Sequence, residues 1–221
     1  FNEQVATQGT EAMYWLEARH NDNLNVSIAS TLDKRLTAKS SLRAGFNLAT
    51  NKGMHYQTIN SLLGATQMHN VNTYAIAHYP AASDKVQYDL NNRDAVLGKG
   101  DRLGYDYNIL MNKAKVWGAY IEDLGPLHYS LSARMGYQSM QRDGKMRNGM
   151  AADNSFGKSR TKDFFNGGLK LGSSLDMGCG HTLTFGMGYE QRAPQAAAVF
   201  ASPEVNNDIA VNLKNEKVFS T

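Results

Sequence analysis

The chain lacks any run approaching the roughly 20 consecutive apolar residues that a membrane-spanning helix needs, which excludes helical spans. It has one cysteine, Cys179, so no internal disulfide framework and no all-cysteine metal site can form. Charge of one sign is not concentrated either. The 23 Lys and Arg against 20 Asp and Glu leave a net charge of +3, and the basic residues are scattered. A nucleic-acid surface needs them gathered on one face, so no nucleic-acid partner is expected. No charged n-region followed by an apolar h-region opens the chain at Phe1, so no signal peptide is visible. No local motif places a Ser-His-Asp or Cys-His arrangement, and no enzyme is expected.

What is present points to sheet. Twenty Gly and 11 Tyr stand against 4 Pro. The mean hydropathy of -0.48 is low, yet transmembrane β-strands alternate apolar with polar residues and keep that mean low. Leu127 to Gln138 is the clearest stretch. Leu127, Tyr129, Leu131, Ala133, Met135 and Tyr137 fall on one face, and His128, Ser130, Ser132, Arg134, Gly136 and Gln138 on the other. Period two describes a strand whose two sides meet different solvents.

In chain order, residues 1 to 10 are expected to be irregular and Ala12 to Arg19 a strand, followed by a turn at His20-Asn21-Asp22-Asn23. Leu24 to Leu32 alternates, Thr37 to Ser40 turns, and Leu42 to Ala49 alternates again. A long polar segment from about Asn51 to Gly104 follows, with short helices expected at Thr58 to Ala65 and Ser83 to Asn91. Tyr105 to Asp123 is a strand whose faces disagree: Ile109 and Met111 are out of step with Val116, Gly118 and Tyr120, and a bulge near Lys113 would reconcile them. Leu124-Gly125-Pro126 turns into the strand of Leu127 to Gln141, and Arg142 to Asp163 is a second polar excursion. Phe165 to Met177 and Leu183 to Glu190 alternate around a turn at Gly178 to Gly180, and Arg192 to about Val211 is irregular. Val218 to Thr221 reads as a strand cut partway, so the chain is expected to be a piece of something larger.

From Thr37 onward every second connection is a tight turn, and the others, apart from the first at 20–23, are long. In an up-and-down meander alternate connections share an edge, so one edge carries turns and the other carries loops. Outer-membrane barrels sort their connections this way, with strands of roughly 9–11 residues crossing the bilayer.

Several stretches also carry a family likeness: Lys52-Gly53-Met54-His55-Tyr56, Gly104-Tyr105-Asp106-Tyr107-Asn108, Gly188 to Pro194, and the closing Asn212 to Val218. On these residues the chain resembles the barrel portion of TonB-dependent outer-membrane receptors. The resemblance implies an all-β fold: an antiparallel up-and-down meander, part of a large outer-membrane β-barrel, with long loops on one edge. It implies that residues 1–221 form a partial barrel domain, with the plug domain and the remaining strands of a roughly 22-stranded wall absent. It implies a parent protein in the outer membrane of a Gram-negative cell. That parent would contact outer-membrane lipid and import a scarce nutrient (siderophore, vitamin or oligosaccharide). A TonB-type energy-transducing partner would act through the missing plug region. The alternative is a soluble secreted β-sheet binding module or adhesin, and a β-rich hydrolase lacks catalytic spacing.

Ligand contact is expected from the long-loop edge, around residues 55–104, 142–163 and 192–210, because scaffolded loops carry recognition. No cofactor is expected and no individual ligand-binding residue is assigned. Asp84, Asp89, Asp94, Asp101 and Asp106 are carboxylates of the kind a calcium site uses, but their spacing matches no known calcium loop, and solvated loop residues are expected. His55, His69 and His78 are distant for a metal trio, Cys179 and His181 lack a second pair, and Gly98-Lys99-Gly100 lacks the rest of a phosphate cradle. Tyr105, Tyr107, Tyr129, Tyr137, Phe165 and Tyr189 fit either an interface girdle or core packing. A sugar-binding module would place aromatics on the wet face of its strands, which here reads as Ser, Gly, Thr, Asn and Arg.

Overall fold

Ten strands run between Leu16 and Ser220 in a computed structural model that describes residues 11–221. The irregularity expected for residues 1–10 lies outside the described residues. The strands are β1 (Leu16–Arg35), β2 (Ser40–Ser61), β3 (Met68–His69), β4 (Val96–Leu97), β5 (Arg102–Asp123), β6 (Leu127–Gly144), β7 (Gly157–Lys158), β8 (Lys162–Gly178), β9 (His181–Arg192) and β10 (Glu216–Ser220). The main sheet has the order β1-β2-β5-β6-β8-β9-β10, with β7 on β6, and β3 and β4 form a separate ribbon. Each neighbouring pair is antiparallel. The protein is therefore an all-β up-and-down meander.

The register aligns the alternating residues into continuous faces. Ile28, Leu48, Ala114 and Tyr137 stand in one row across four strands, and Leu32, Ala44, Gly118, Ala133, Leu169 and Tyr189 in another. This face is apolar and open: Leu24, Val26, Ile28, Val116, Leu131, Met135, Leu169, Leu183 and Phe185 are all more than half exposed. The opposite face carries Asn25, Arg43, Asn47, Lys113, Lys115, Arg134, Gln138, Lys170 and Glu190.

Turns and loops segregate by edge. Residues 36–39, 124–126 and 179–180 close one edge, while 62–101, 145–161 and 193–215 leave the other. At the β8–β9 connection Cys179 (φ 53°) and Gly180 (φ 78°) both take left-handed angles, as a two-residue hairpin that follows sheet twist demands.

Several expectations need correction. There is no turn at His20 to Asn23: β1 runs unbroken from Leu16 to Arg35, and Asn21 and Asp22 are satisfied across the ladder instead. His55 Nδ1 lies 2.7 Å from Asn21 Oδ1, and the Tyr56 hydroxyl donates to Asp22 at 2.9 Å. Removing that turn removes the one exception to the alternation of connections. Nor is Ala12 to Arg19 a strand throughout, since pairing with β2 begins at Leu16. The long segment starts after Ser61 rather than at Asn51, because β2 continues for 22 residues. Strand, not helix, occupies Thr58 to Ser61. In the Ser83 to Asn91 region only two 3-10 turns form, at Asp84–Val86 and Leu90–Asn92. Ladder pairing passes straight through Lys113, and the β2–β5 register shifts instead between Tyr56 and Gln57, opposite Asp106 and Leu103.

The strands β1, β2, β5, β6 and β8 are 17 to 22 residues long, about twice the span expected. Their loop-side halves carry the buried core. One cluster joins Tyr107, Ile109, Met140 and Phe164 to Val199 and Phe200 of the last long loop. A second joins Ile59, Leu62, Met68, Leu97 and Leu103. Ile109 and Met111 thus point to the polar-face side because loop residues cover it there. No bulge is required.

Candidate functional site

The three long loops are sewn into one cap. Between the first and second, the Leu90 amide donates to Arg147 O (2.8 Å), the Arg147 amide to Asp89 Oδ1 (2.9 Å), and the Gly149 amide to Gln87 O (2.9 Å). Gly149 has to be glycine for this approach, since a Cβ there would fall 1.7 Å from Asp84 O. Between the second and third, the Asn207 amide donates to Asn154 O (2.7 Å), and Asn154 Nδ2 to Asp208 Oδ1 (2.6 Å).

Arg142 pins the cap to β6. It is 2% exposed, and its guanidinium donates to Pro203 O (2.6 Å), Ser155 O (2.7 Å) and Asn207 Oδ1 (2.5 Å). It also lies 5.1 Å from the Tyr107 ring centre. Burial pulls its pKa down to about 10, and these acceptors compensate a cation that forms no ion pair among the described residues.

Under this cap lies a cavity of about 640 Å³ between the start of β1 and the loops. All three long loops reach it, through Tyr74 and Tyr88, Asn148 and Met150, and Glu204 and Val205. The wall supplies Trp15, Glu17, Arg19, Gln57 and Tyr105. Glu17 accepts from Arg19 Nε (3.2 Å) and Gln57 Nε2 (3.0 Å). Burial pushes the Tyr88 phenol up, and burial followed by the charge of Glu204 does the same at Tyr105. Asn72 and Asn148 each cap a short helix through Oδ1: Asn72 accepts from the Tyr74 and Ala75 amides (both 3.1 Å), and Asn148 from the Met150 amide (2.9 Å). Those bonds leave Nδ2 as the uncommitted donor of each amide. Aromatic rings with a few placed polar groups are the usual lining of a small-molecule site.

The histidines, the aspartates, Gly98-Lys99-Gly100 and Cys179 singled out in the sequence do not line this cavity. His55 stacks on Tyr107 at 5.0 Å, and burial lowers its pKa. His69 Nε2 lies 2.9 Å from Glu11 Oε1. Among the described residues no three metal-ligating side chains converge. Each aspartate of the first loop is engaged: Asp84 with Arg93, Asp89 with the Asn91 amide (3.1 Å), Asp94 with Gln87 (2.5 Å), Asp101 with the Gly98 amide (2.8 Å) and Asp106 with Arg102 (3.4 Å). These are turn-forming contacts and ion pairs. Gly98-Lys99-Gly100 is the tip between β4 and β5, and Cys179 and His181 lie at the opposite, tight-turn edge.

The aromatics divide. Tyr107 is core and Tyr105 lines the cavity, while Tyr129, Tyr137, Phe165 and Tyr189 stand on the apolar face. There they form ring pairs: Tyr120 with Tyr129 (6.3 Å), Tyr137 with Phe165 (5.3 Å) and Tyr189 with Phe219 (4.8 Å). No local pattern in the sequence marks the cavity, because its residues come from six separated segments.

No protein-family model matches the chain. No curated protein matches it significantly.

Proposed function

We propose that this chain is a wall segment of an outer-membrane β-barrel receptor, of the TonB-dependent kind, that takes up a scarce nutrient from the loop side. The observation that carries this reading is the belt: a continuous face of exposed Leu, Val, Ile, Met and Phe across the long strands, with the opposite face polar. A soluble monomer rarely exposes a contiguous apolar patch beyond a few hundred Å². A bilayer is the solvent that makes such a face stable. The spacing agrees. Tyr129 and Tyr137, at the two borders of the belt on β6, are about 26 Å apart along the strand and about 20 Å apart in height at a 40° tilt, near the apolar band of such barrels.

The reading needs more strands on both sides. Among the described residues β1 pairs only with β2, and β10 only with β9. In hydrocarbon each unpaired edge group costs several kcal/mol, so a closed wall has to continue from both edges. Energy for uptake would come from a periplasmic partner acting outside this segment.

The test is a pair of single cysteines, Leu131→Cys and Ser132→Cys, in the full-length receptor with Cys179→Ser. Each is labelled with a fluorophore in vesicles of brominated lipid. Strong quenching at 131 and little at 132 is expected. Equal response at both positions, or none at either, ends the membrane reading and leaves the soluble module or adhesin.

A further inference from the structure

We infer that the cavity under the cap takes a neutral oligosaccharide; this rests on the receptor reading only for the side from which the ligand arrives. A sugar ring offers two chemistries: a C–H face that packs on an aromatic ring, and a rim of hydroxyls that need donors and acceptors together. The cavity supplies both. Tyr74 is 84% exposed on the helix Thr73–Ile76 and makes no side-chain hydrogen bond among the described residues. It gives up a large apolar surface to water and gains nothing within the protein. The hydroxyls of Tyr88 and Tyr105 are equally without a bonded partner among the described residues, although burial raises both phenols.

Asn148 is the sharper observation. It is 6% exposed, its Oδ1 is committed to the Met150 amide, and its Nδ2 bonds to no described residue. That nitrogen is not sealed either, because Arg134 Nε is the one sealed, unbonded side-chain atom among the described residues. Asn148 lines the cavity, and its uncommitted donor is the polar group it has left to offer a ligand. A buried amide left for a ligand group rejects ligands that cannot bond to it.

Charge narrows the class. Two carboxylates, Glu17 and Glu204, face one guanidinium, Arg19, which Glu17 already occupies at 3.2 Å. The described lining therefore carries two carboxylates against a single guanidinium, a negative balance that disfavours an anionic chelate. The volume, about 640 Å³, falls within the roughly 300–1,000 Å³ of ligand sites and exceeds what a small ammonium ion would fill.

The experiment is isothermal titration of the full-length receptor, in detergent, with neutral hexasaccharides of gluco, xylo, manno, galacto and fructo type. Ferric tris-catecholate and tetramethylammonium serve as anionic and cationic comparators. At least one hexasaccharide should bind saturably, and Tyr74→Ala should weaken it about tenfold or more, equivalent to about 1.4 kcal/mol. Tyr88→Phe, which keeps the ring, should weaken it less, and Lys99→Ala at the β4–β5 tip should leave it unchanged. No saccharide binding, binding only of a comparator, or saccharide binding indifferent to both tyrosine variants would overturn the inference. The cysteine pair at 131 and 132 separates the two readings. Quenching without sugar binding sinks this inference alone, whereas Tyr74-dependent sugar binding without quenching keeps it and removes the membrane.

Discussion

The two halves of β5 solve opposite problems with the same backbone. Near the tight turns, Val116, Gly118 and Tyr120 stand on the apolar face, and no large hydrophobic side chain of the belt is buried. Near the loops, Tyr107 and Ile109 are buried on the other side against Val199 and Phe200. The apolar residues change face between Ile109 and Val116 without any break in the pairing there. Alternation therefore reports which side excludes water at each level of the sheet. In the belt the surroundings exclude it, and in the cap the chain's own loops do.

If the cap holds itself together, emptying its core should damage it and spare the belt. Phe200→Ala removes a ring that is 1% exposed and should cost the cap about 3–5 kcal/mol. Amide exchange should quicken across 193–215 and 145–161 while 127–138 stays protected. Equal loss of protection in both regions would mean that cap and belt are one cooperative unit. The converse change strikes the belt. Leu131→Arg should cost about 2–4 kcal/mol of stability in vesicles, whereas Ser132→Arg, one residue on and facing the polar side, should cost well under half of that. Similar costs for the two would erase the difference between the faces.

The belt was legible in the sequence and the cap was not, for a physical reason. In the belt each residue's surroundings depend on its parity alone, so Leu127 to Gln138 announces its strand, and the alternation of short and long connections announces the meander. In the cap the surroundings depend on contacts between distant segments. Asn21, Asp22 and Asn23 look like a turn because their partners, His55 and Tyr56, lie more than 30 positions away (|i−j| = 34). Ile109 looks out of step because Phe200, which covers it, belongs to another loop. Arg142 reads as the first residue of a polar excursion, yet it is the residue that ties two loops to the wall.

Alkali sharpens the contrast further. Burial raises the Tyr107 phenol to about 12 from an ordinary value near 10. The folded pKa lies above the unfolded one, so this contribution is fully present below pH 10 and is lost as pH rises through 10 toward 12. Phenolate absorbance should appear late for Tyr107, together with accelerated proteolysis of the cap and no change in the belt. Tyr107→Phe should reduce the alkaline sensitivity of the cap, leaving the share that the buried phenols of Tyr88 and Tyr105 contribute. Sensitivity undiminished in the variant would place its origin away from Tyr107.

The smallest effect is expected where the polar face of the belt meets water. Arg43 Nε lies 2.8 Å from Asp33 Oδ2, an ion pair between β1 and β2 with both side chains more than half exposed. Exposed pairs of this kind contribute about 0–1 kcal/mol, because solvent screens the attraction and two long side chains lose freedom in making it. Arg43→Ala should therefore change stability by less than about 1 kcal/mol, and by less again in molar salt, where the Debye length shrinks to about 3 Å. The Arg142 guanidinium is buried among the carbonyls it bonds, and Arg142→Ala should cost more than Arg43→Ala and show little dependence on salt. Two arginines in one sheet would then differ in both size and salt response for one reason: water reaches the first and not the second. A large, salt-insensitive loss at Arg43 would mean that the polar face is as dry there as the cap, and the division between the two halves of the strands would fail.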